Sequence, residues 1–255
     1  MSGAAAAGPL AVLGDFGDAL DFIVHGYTTR EGRHVGGGQL LELTWHHLEV
    51  SLAALAVAIA IAVPLGLVLG HTGRFGFLAI SVSNVGRAVP SLALIAFFVA
   101  YLGVGFTNVM VALALLAIPP ILTNTYVGVR QVDPDAVDAA RGMGMTGPEI
   151  VRRVELPLAL PLVFGGIRTS TVNVVATATI APLAGVVTLG DPIINVSTYG
   201  DAGRLGASIA VAALAVASEL VLAAAQRAVT PRAVKASTRA DRLSVQATGE
   251  ARAAS

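Results

Sequence analysis

The chain alternates between long apolar stretches and short polar breaks, and this pattern predicts helices that cross a membrane. A spanning helix needs about 20 apolar residues, because the hydrocarbon layer is about 30 Å thick and each residue adds about 1.5 Å. Residues 50–70 meet that length and carry no charge. Residues 88–129 are also uncharged and are long enough for two passes. We place these passes at about residues 91–102 and 109–126, with the chain folding back between them at residues 103–108.

Two further apolar stretches follow in the second half of the chain, and each contains one charged residue. Residues 158–185 are interrupted by Arg168, and residues 206–226 are interrupted by Glu219. These stretches bring the predicted number of spans to five. We therefore expect an all-α fold, a polytopic bundle of transmembrane helices.

The composition supports a bilayer as the solvent of this chain. Hydrophobic residues make up 55% of it and charged residues only 13%, whereas an ordinary globular domain carries about 25% charged residues. The formal net charge is zero, which gives no indication of a nucleic-acid partner. The absence of cysteine excludes disulfides, thiolate metal sites and cysteine nucleophiles.

The distribution of basic residues predicts the orientation of the bundle, because Lys and Arg are retained on the cytoplasmic side. If residues 130–157 are cytoplasmic, eleven Lys and Arg residues lie inside, against Arg30, Arg33 and Arg204 outside. Five spans then place the N-terminus outside and the C-terminus in the cytoplasm. Residues 229–255 are too polar to fold and are expected to form a disordered cytoplasmic tail.

Residues 1–45 are interpreted as an extracytoplasmic amphipathic segment followed by a Gly-rich loop, and residues 46–228 as the transmembrane domain. The segment has no basic residue ahead of its apolar positions and is broken by aspartates, so it does not fit a signal peptide. The apolar positions that predict one helical face are Leu13, Phe16, Leu20 and Ile23.

The polar residues 133–157 have the pattern of a helical hairpin outside the membrane. Asp133 is placed to cap a first helix and Pro134 fits its first turn, because the two residues satisfy or avoid unpaired N–H groups. Gly142 and Gly144 are expected to end this helix and to form an elbow.

A second short helix is predicted directly after the elbow. Thr146 and Glu149 have the spacing of a capping box, and the helix should end at Pro157. Met143 and Met145 are expected to be exposed at the bend, where flexible thioether side chains adapt to the surface of a partner.

The hairpin also contains a spaced motif: an acidic residue and two alanines, three residues, a glycine, nine residues, a branched apolar residue, any residue, then Leu-Pro. Its positions are Asp138, Ala139, Ala140, Gly144, Val154, Leu156 and Pro157. This motif resembles the cytoplasmic signature of the permease subunits of ATP-binding-cassette importers, with Asp for the usual Glu and Val for the usual Ile.

The resemblance implies that residues 130–157 form a coupling loop whose first helix docks in a groove on a separate ATPase. The implied coupling residues are Asp138, Ala139, Ala140, Gly142, Met143, Gly144, Met145, Thr146, Leu156 and Pro157. The chain has no Gly-x-x-x-x-Gly-Lys-Ser/Thr motif for ATP, so it is expected to be a transport subunit without a cofactor and not an enzyme.

Most of residues 44–193 further resembles the permeases for osmoprotectants such as glycine betaine, choline, carnitine and proline betaine. The similar stretches include "AVPSLALIAFF", "PPILTNTYVGV" and "LGDPI", although Thr123 stands where that branch usually has Arg. The resemblance implies three protein partners: an ATPase, a second or paralogous permease copy, and an extracytoplasmic substrate-binding protein. A permease for another small solute, such as methionine or an anion, would share the coupling loop and remains an alternative.

Polar residues inside the predicted spans are the candidates for a translocation path. They are Ser91, Asn124, Thr169, Asn173 and Thr177. Ser91 lacks the Gly-x-Ser-x-Gly context of a hydrolase nucleophile. The adjacent His46 and His47 would diverge by about 100° on a helix, so no metal site is expected there.

Arg168 and Glu219 are expected to pair, because both lie about 12–16 Å from the cytoplasmic ends of their spans at about 1.5 Å per residue. A charge inside a membrane is costly and generally has a partner. A structural clamp, a contact with substrate and a water-facing charge are all compatible with this depth. An ion-coupled secondary transporter would use the two charges as a relay, but it would not explain the spacing of residues 138–157.

Overall fold

A computed structural model describes residues 9–29, 34–74, 76–77, 81, 86 and 88–230. The first half contains α1 (Pro9–Val24), β1 (Tyr27–Thr28), β2 (His34–Val35), α2 (Gly38–Thr72), α3 (Ser91–Leu102) and α4 (Phe106–Arg130). The second half contains α5 (Pro134–Gly142), α6 (Gly147–Ile150), a π-helical segment (Val151–Glu155), α7 (Leu156–Thr177), a 3₁₀ segment (Ala178–Ala184), α8 (Asp191–Ile194) and α9 (Val196–Val229). The predicted all-α fold is confirmed.

Three described helices, α2, α4 and α9, are long and apolar enough to cross a membrane. The helix α3 coincides with the predicted pass at residues 91–102, but its 12 residues rise only about 18 Å. The 22 residues of α7 would rise about 33 Å, but Arg168 and Asn173 interrupt its apolar sequence and it is not among these three helices. Length and composition therefore support three of the five predicted spans directly.

Small residues bring α2, α4 and α7 into close contact at the centre of the bundle. The core is built largely from alanines, which include Ala54, Ala58, Ala62, Ala112 and Ala117. A Cβ added at Gly66 of α2 would lie 2.6 Å from the Cβ of Thr125, and one at Gly166 of α7 would lie 2.8 Å from the Cβ of Asn124. Lipid chains are as apolar as the helices, so the hydrophobic effect does not drive membrane helices together. Close packing of this kind stabilises their association instead.

The N-terminal helix packs against the last one through a face that matches the predicted one only in part. Ile23 of the predicted face packs there, since a Cβ at Gly206 would lie 3.3 Å from its Cγ1. Phe22 and Ala19 are buried against α9, where Gly206 leaves room for them. Phe16 and Leu20 are instead 46% and 56% exposed, because they point away from α9. The predicted loop after α1 contains the short antiparallel pair of β1 and β2.

Two predicted boundaries differ from the observed ones. The helix α2 begins at Gly38, well before residue 50, because Leu40 and Leu43 continue its buried face. The 3₁₀ segment replaces the end of the predicted fourth span, since α7 ends at Thr177. The predicted tail beyond residue 230 lies outside the described residues.

Candidate coupling hairpin and translocation path

The first arm of the hairpin is a capped helix whose outer surface is polar. The carboxylate of Asp133 accepts a hydrogen bond from the backbone N–H of Asp135 at 2.9 Å, as expected of an N-cap. Asp138 lies exposed and pairs with Arg141 at 2.9 Å, one turn further along α5. Ala139 is exposed and Ala140 is buried, so α5 presents Asp138 and Ala139 on its accessible side.

The elbow depends on the backbone conformation of Gly144. Its φ angle is +82°, in the left-handed region that only glycine adopts readily, whereas Gly142 still belongs to α5. Met143 is 71% exposed at the bend, as predicted. Met145 is half-buried and not fully exposed, and its backbone N–H donates to the carbonyl of Ala140 in α5 at 3.1 Å.

The second arm begins with the predicted capping box. The backbone N–H and the hydroxyl of Thr146 both donate to the carboxylate of Glu149, at 2.9 and 2.8 Å. These two hydrogen bonds, the backbone one first, hold the pKa of Glu149 below its ordinary value. The cap is thus complete above the ordinary pKa of glutamate and is lost only as the pH falls through the lower folded value.

The second arm does not end at Pro157, which corrects the prediction. The helix α6 runs through the π-helical segment directly into α7, with Leu156 and Pro157 half-buried in the first turn of α7. Proline lacks an N–H and its ring conflicts with the carbonyl four residues earlier. The wider π winding, in which the N–H of Leu156 donates to the carbonyl of Val151, accommodates this residue. The second arm is therefore continuous with α7, with no loop between them.

A buried carboxylate ties the second arm to the end of α2. Glu155 is only 5% exposed, and the Nδ1–H of His71 donates to both of its carboxylate oxygens at 2.9 Å. The other ring nitrogen of His71 would lie 3.2 Å from a Cβ at Gly147. His71 therefore contacts both the beginning and the end of the second arm. This link could not be predicted from the sequence, because nothing in the sequence connects residues 84 positions apart.

We expect His71→Ala to loosen the hairpin, because it leaves the Glu155 carboxylate buried without its donor. The cost should be about 1–3 kcal/mol of unfolding free energy. Glu155→Gln keeps an acceptor oxygen and should cost less. The measurements are SDS-driven unfolding in detergent and the rate of protease cleavage at the elbow.

His25→Ala is the matched control for His71→Ala. His25 also contacts a carboxylate, that of Asp21 at 2.7 Å, but the two side chains are 72% and 70% exposed. An exposed pair contributes at most about 1 kcal/mol. Equal effects of the two alanine variants would contradict a special role for His71.

Three of the five predicted path residues line one cavity. Ser91, Asn173 and Thr177 face a cavity of about 210 Å³, together with Pro119 and Pro120 of α4. Asn124 is not among the lining residues, because its amide donates to the carbonyl of Pro120 at 2.8 Å within α4. The adjacent histidines diverge: the ring of His47 is buried and contacts the carbonyl of Val175 at 2.9 Å, whereas His46 contacts Glu49.

A second cavity of about 450 Å³ is lined by Arg168, Thr169, Asn173 and Glu219. The Nε and Nη2 groups of Arg168 both donate to one carboxylate oxygen of Glu219, at 3.0 Å for Nε. The Nη1 group donates to Gln226 at 2.8 Å, and the amide of Gln226 donates to the carbonyl of Pro161 at 2.8 Å. The structure thus brings together the two intramembrane charges of α7 and α9.

Apolar helices around polar cavities, joined to a capped hairpin, define a membrane-embedded transport subunit. Comparison with known proteins specifies the family: residues 62–235 match the model of the binding-protein-dependent transport system inner membrane component. The chain belongs to this family. It is therefore an inner-membrane component of an ATP-binding-cassette transporter, a transport subunit.

The curated relatives are permeases of similar length. The chain is 42% identical to the choline transport system permease protein OpuBB of Bacillus subtilis, over 76% of this chain and 90% of that protein. It is 40% identical to the glycine betaine/carnitine/choline transport system permease protein OpuCB of the same organism, over 78% and 92% of the two chains. The osmoprotectant import permease protein OsmY of Salmonella typhimurium is 36% identical over 66% and 71%.

Solved structures support the fold. An inward-facing form of the MetNI methionine ABC transporter superposes with a TM-score of 0.67 at 22% identity, covering 75% of this chain and 96% of that chain. An amino acid ABC transporter gives a TM-score of 0.59 at 19% identity, covering 74% and 92%. At these identities the likeness establishes architecture and not substrate.

Proposed function

We propose that this chain is the permease of an ATP-driven importer for small compatible solutes such as glycine betaine, choline, carnitine or proline betaine. The observation that carries the proposal is the likeness to OpuBB and OpuCB at 42% and 40% identity over 90% and 92% of their lengths. The polar cavities along α7 support it, because a solute path needs polar groups inside the spans.

The proposed assembly contains two permease copies, identical or paralogous, with two ATPases on the cytoplasmic side and a substrate-binding protein outside. The ATPase docks on α5 and the elbow, where Asp138, Ala139 and Met143 are exposed. Its movement enters the membrane through the second arm, which is continuous with α7. The N-terminus lies outside and the C-terminus in the cytoplasm, and residues 1–45, 46–228 and 229–255 act as the extracytoplasmic segment, the permease domain and the tail.

Purification from membranes in mild detergent should recover the chain with an ATPase subunit. Reconstituted into proteoliposomes with its binding protein, the complex should take up labelled choline or glycine betaine only when ATP is supplied on the ATPase side. Substitution of the phosphate-binding lysine in the ATPase should abolish uptake. Uptake that persists in that variant and follows an ion gradient would instead indicate a secondary transporter.

A further inference from the structure

One face of α7 presents a row of polar side chains along the helix. Thr169, Asn173 and Thr177 are spaced by four residues, which places them on the same side of the helix. Asn173 lines both cavities, is exposed, and its amide makes no hydrogen bond to another described residue. An exposed amide on a membrane helix is poorly suited to lipid, so this face belongs to a polar passage. Arg168 and Glu219 lie at one end of the row.

Gln226 fixes one side of the Arg168 guanidinium, and the other side, which can bind a carboxylate, lies at the wall of the cavity. Gln226 accepts from Nη1 and is itself fixed to the carbonyl of Pro161. The Nε and Nη2 groups form the fork that matches a carboxylate, and this fork now engages a single oxygen of Glu219. Arg168 can therefore change its carboxylate partner without losing its position.

We propose that Arg168 and Glu219 form a binding site for a zwitterion in which a carboxylate lies a few bonds from a quaternary ammonium. Arg168 then takes the carboxylate of the solute, and Glu219 takes its cationic head. Binding of the zwitterion adds no net charge to the site, because the ion pair between Arg168 and Glu219 is replaced by two ion pairs with the solute. Neither residue is then left without a partner of opposite charge at this depth. This proposal rests on the proposed function, and it predicts that the site binds glycine betaine and carnitine better than choline.

Choline separates the two halves of the site, because it has the cationic head but no carboxylate. A bound choline would engage Glu219 and leave Arg168 without an anionic partner. Removal of the arginine should therefore damage transport of the zwitterion more than transport of choline. Removal of the Glu219 charge should damage transport of choline more than transport of the zwitterion, because Arg168 would then repel a cation.

The test compares maximal ATP-driven uptake of glycine betaine and choline in proteoliposomes with saturating binding protein. Arg168→Met should lower glycine betaine uptake about tenfold or more and choline uptake by less than about threefold, from the loss of a charged hydrogen bond. Arg168→Lys should recover part of the glycine betaine uptake. Glu219→Gln should lower choline uptake more than glycine betaine uptake. Rates are normalised to intact complex measured by size-exclusion chromatography.

Arg204→Met is the matched control, because Arg204 pairs with Asp201 on the same α9 helix but lies exposed and away from both cavities. It should leave the ratio of the two uptake rates unchanged. Equal losses of both solutes in the Arg168 and Glu219 variants would overturn the zwitterion site, as would a wild-type complex that transports choline but not glycine betaine. Failure of the wild-type complex to transport either solute would count against the proposed function instead.

Discussion

Gly144→Pro is expected to abolish ATP-driven uptake while the permease still inserts and still binds its ATPase. The φ angle of Gly144 is +82°, whereas proline is fixed near −65°, so the elbow cannot form as observed. A change in the elbow alters the angle between α5 and the second arm, and that arm continues into α7. We expect uptake to fall by more than about tenfold, with ATP hydrolysis retained in the detergent-purified complex.

Gly142→Ala is the control that separates the elbow conformation from the mere loss of a glycine. Gly142 is the last residue of α5, it has no positive φ, and an added Cβ would meet nothing within 4 Å. An added Cβ at Gly144 would also meet nothing within 4 Å, so any difference between the alanine variants is conformational. Gly144→Ala should cost about 1–2 kcal/mol locally and show an intermediate loss of uptake. Normal uptake by Gly144→Pro would refute the coupling role of this hairpin.

The hairpin could be predicted from the sequence because its determinants are local. Asp133 caps within two residues, Thr146 and Glu149 cap within three, and Gly144 is needed at a single backbone position. Each of these signals acts over less than one helical turn, so no tertiary contact is required to interpret it. The prediction that the second arm stops at Pro157 was wrong, because a π-helical segment accommodates the proline inside a continuous helix.

The long-range contacts of the site could be predicted only where depth in the membrane constrains them. Arg168 and Glu219 each carry a charge at a similar depth on their spans, and the cost of leaving either charge alone was enough to suggest that they meet. Gln226, which holds Arg168 from the other side, is neutral and gave no such signal. His71 and Glu155 lie at the ends of their helices, where a charge is inexpensive, so their pairing depends on packing that the sequence does not display.

The pattern of apolar residues also left the neighbours of α1 undetermined. Phe16 and Leu20 are as apolar as Phe22, and in water all three would be expected to turn toward a core. Close packing against α9, and not apolar character alone, decides which face is buried. That face is set by Gly206 of α9, which leaves room for Phe22.

Removing one member of the Arg168–Glu219 pair is expected to destabilise the permease more than removing both. Arg168→Met strands the Glu219 carboxylate, and Glu219→Leu strands the guanidinium. Because the side chains are 31% and 35% exposed, each single change should cost less than breaking a fully buried pair, but more than breaking an ion pair on the open surface. The double variant replaces the pair with apolar groups of similar size and should recover part of that loss, so that it is more stable than either single variant.

A double-mutant cycle on the free energy of SDS-driven unfolding in detergent measures this coupling. The exposed pair of Arg204 and Asp201 on the same helix provides the reference cycle, and it should give a coupling of about 0.3–0.5 kcal/mol. Strict additivity for Arg168 and Glu219 would show that their contact contributes no stability. The cycle measures stability, whereas the ratio of glycine betaine to choline uptake measures selectivity. A strong coupling with an unchanged uptake ratio would show that the pair only holds α7 and α9 together. A strong coupling with opposite changes of the ratio in the Arg168 and Glu219 variants would show that the pair holds the two helices together and is separated when the solute binds.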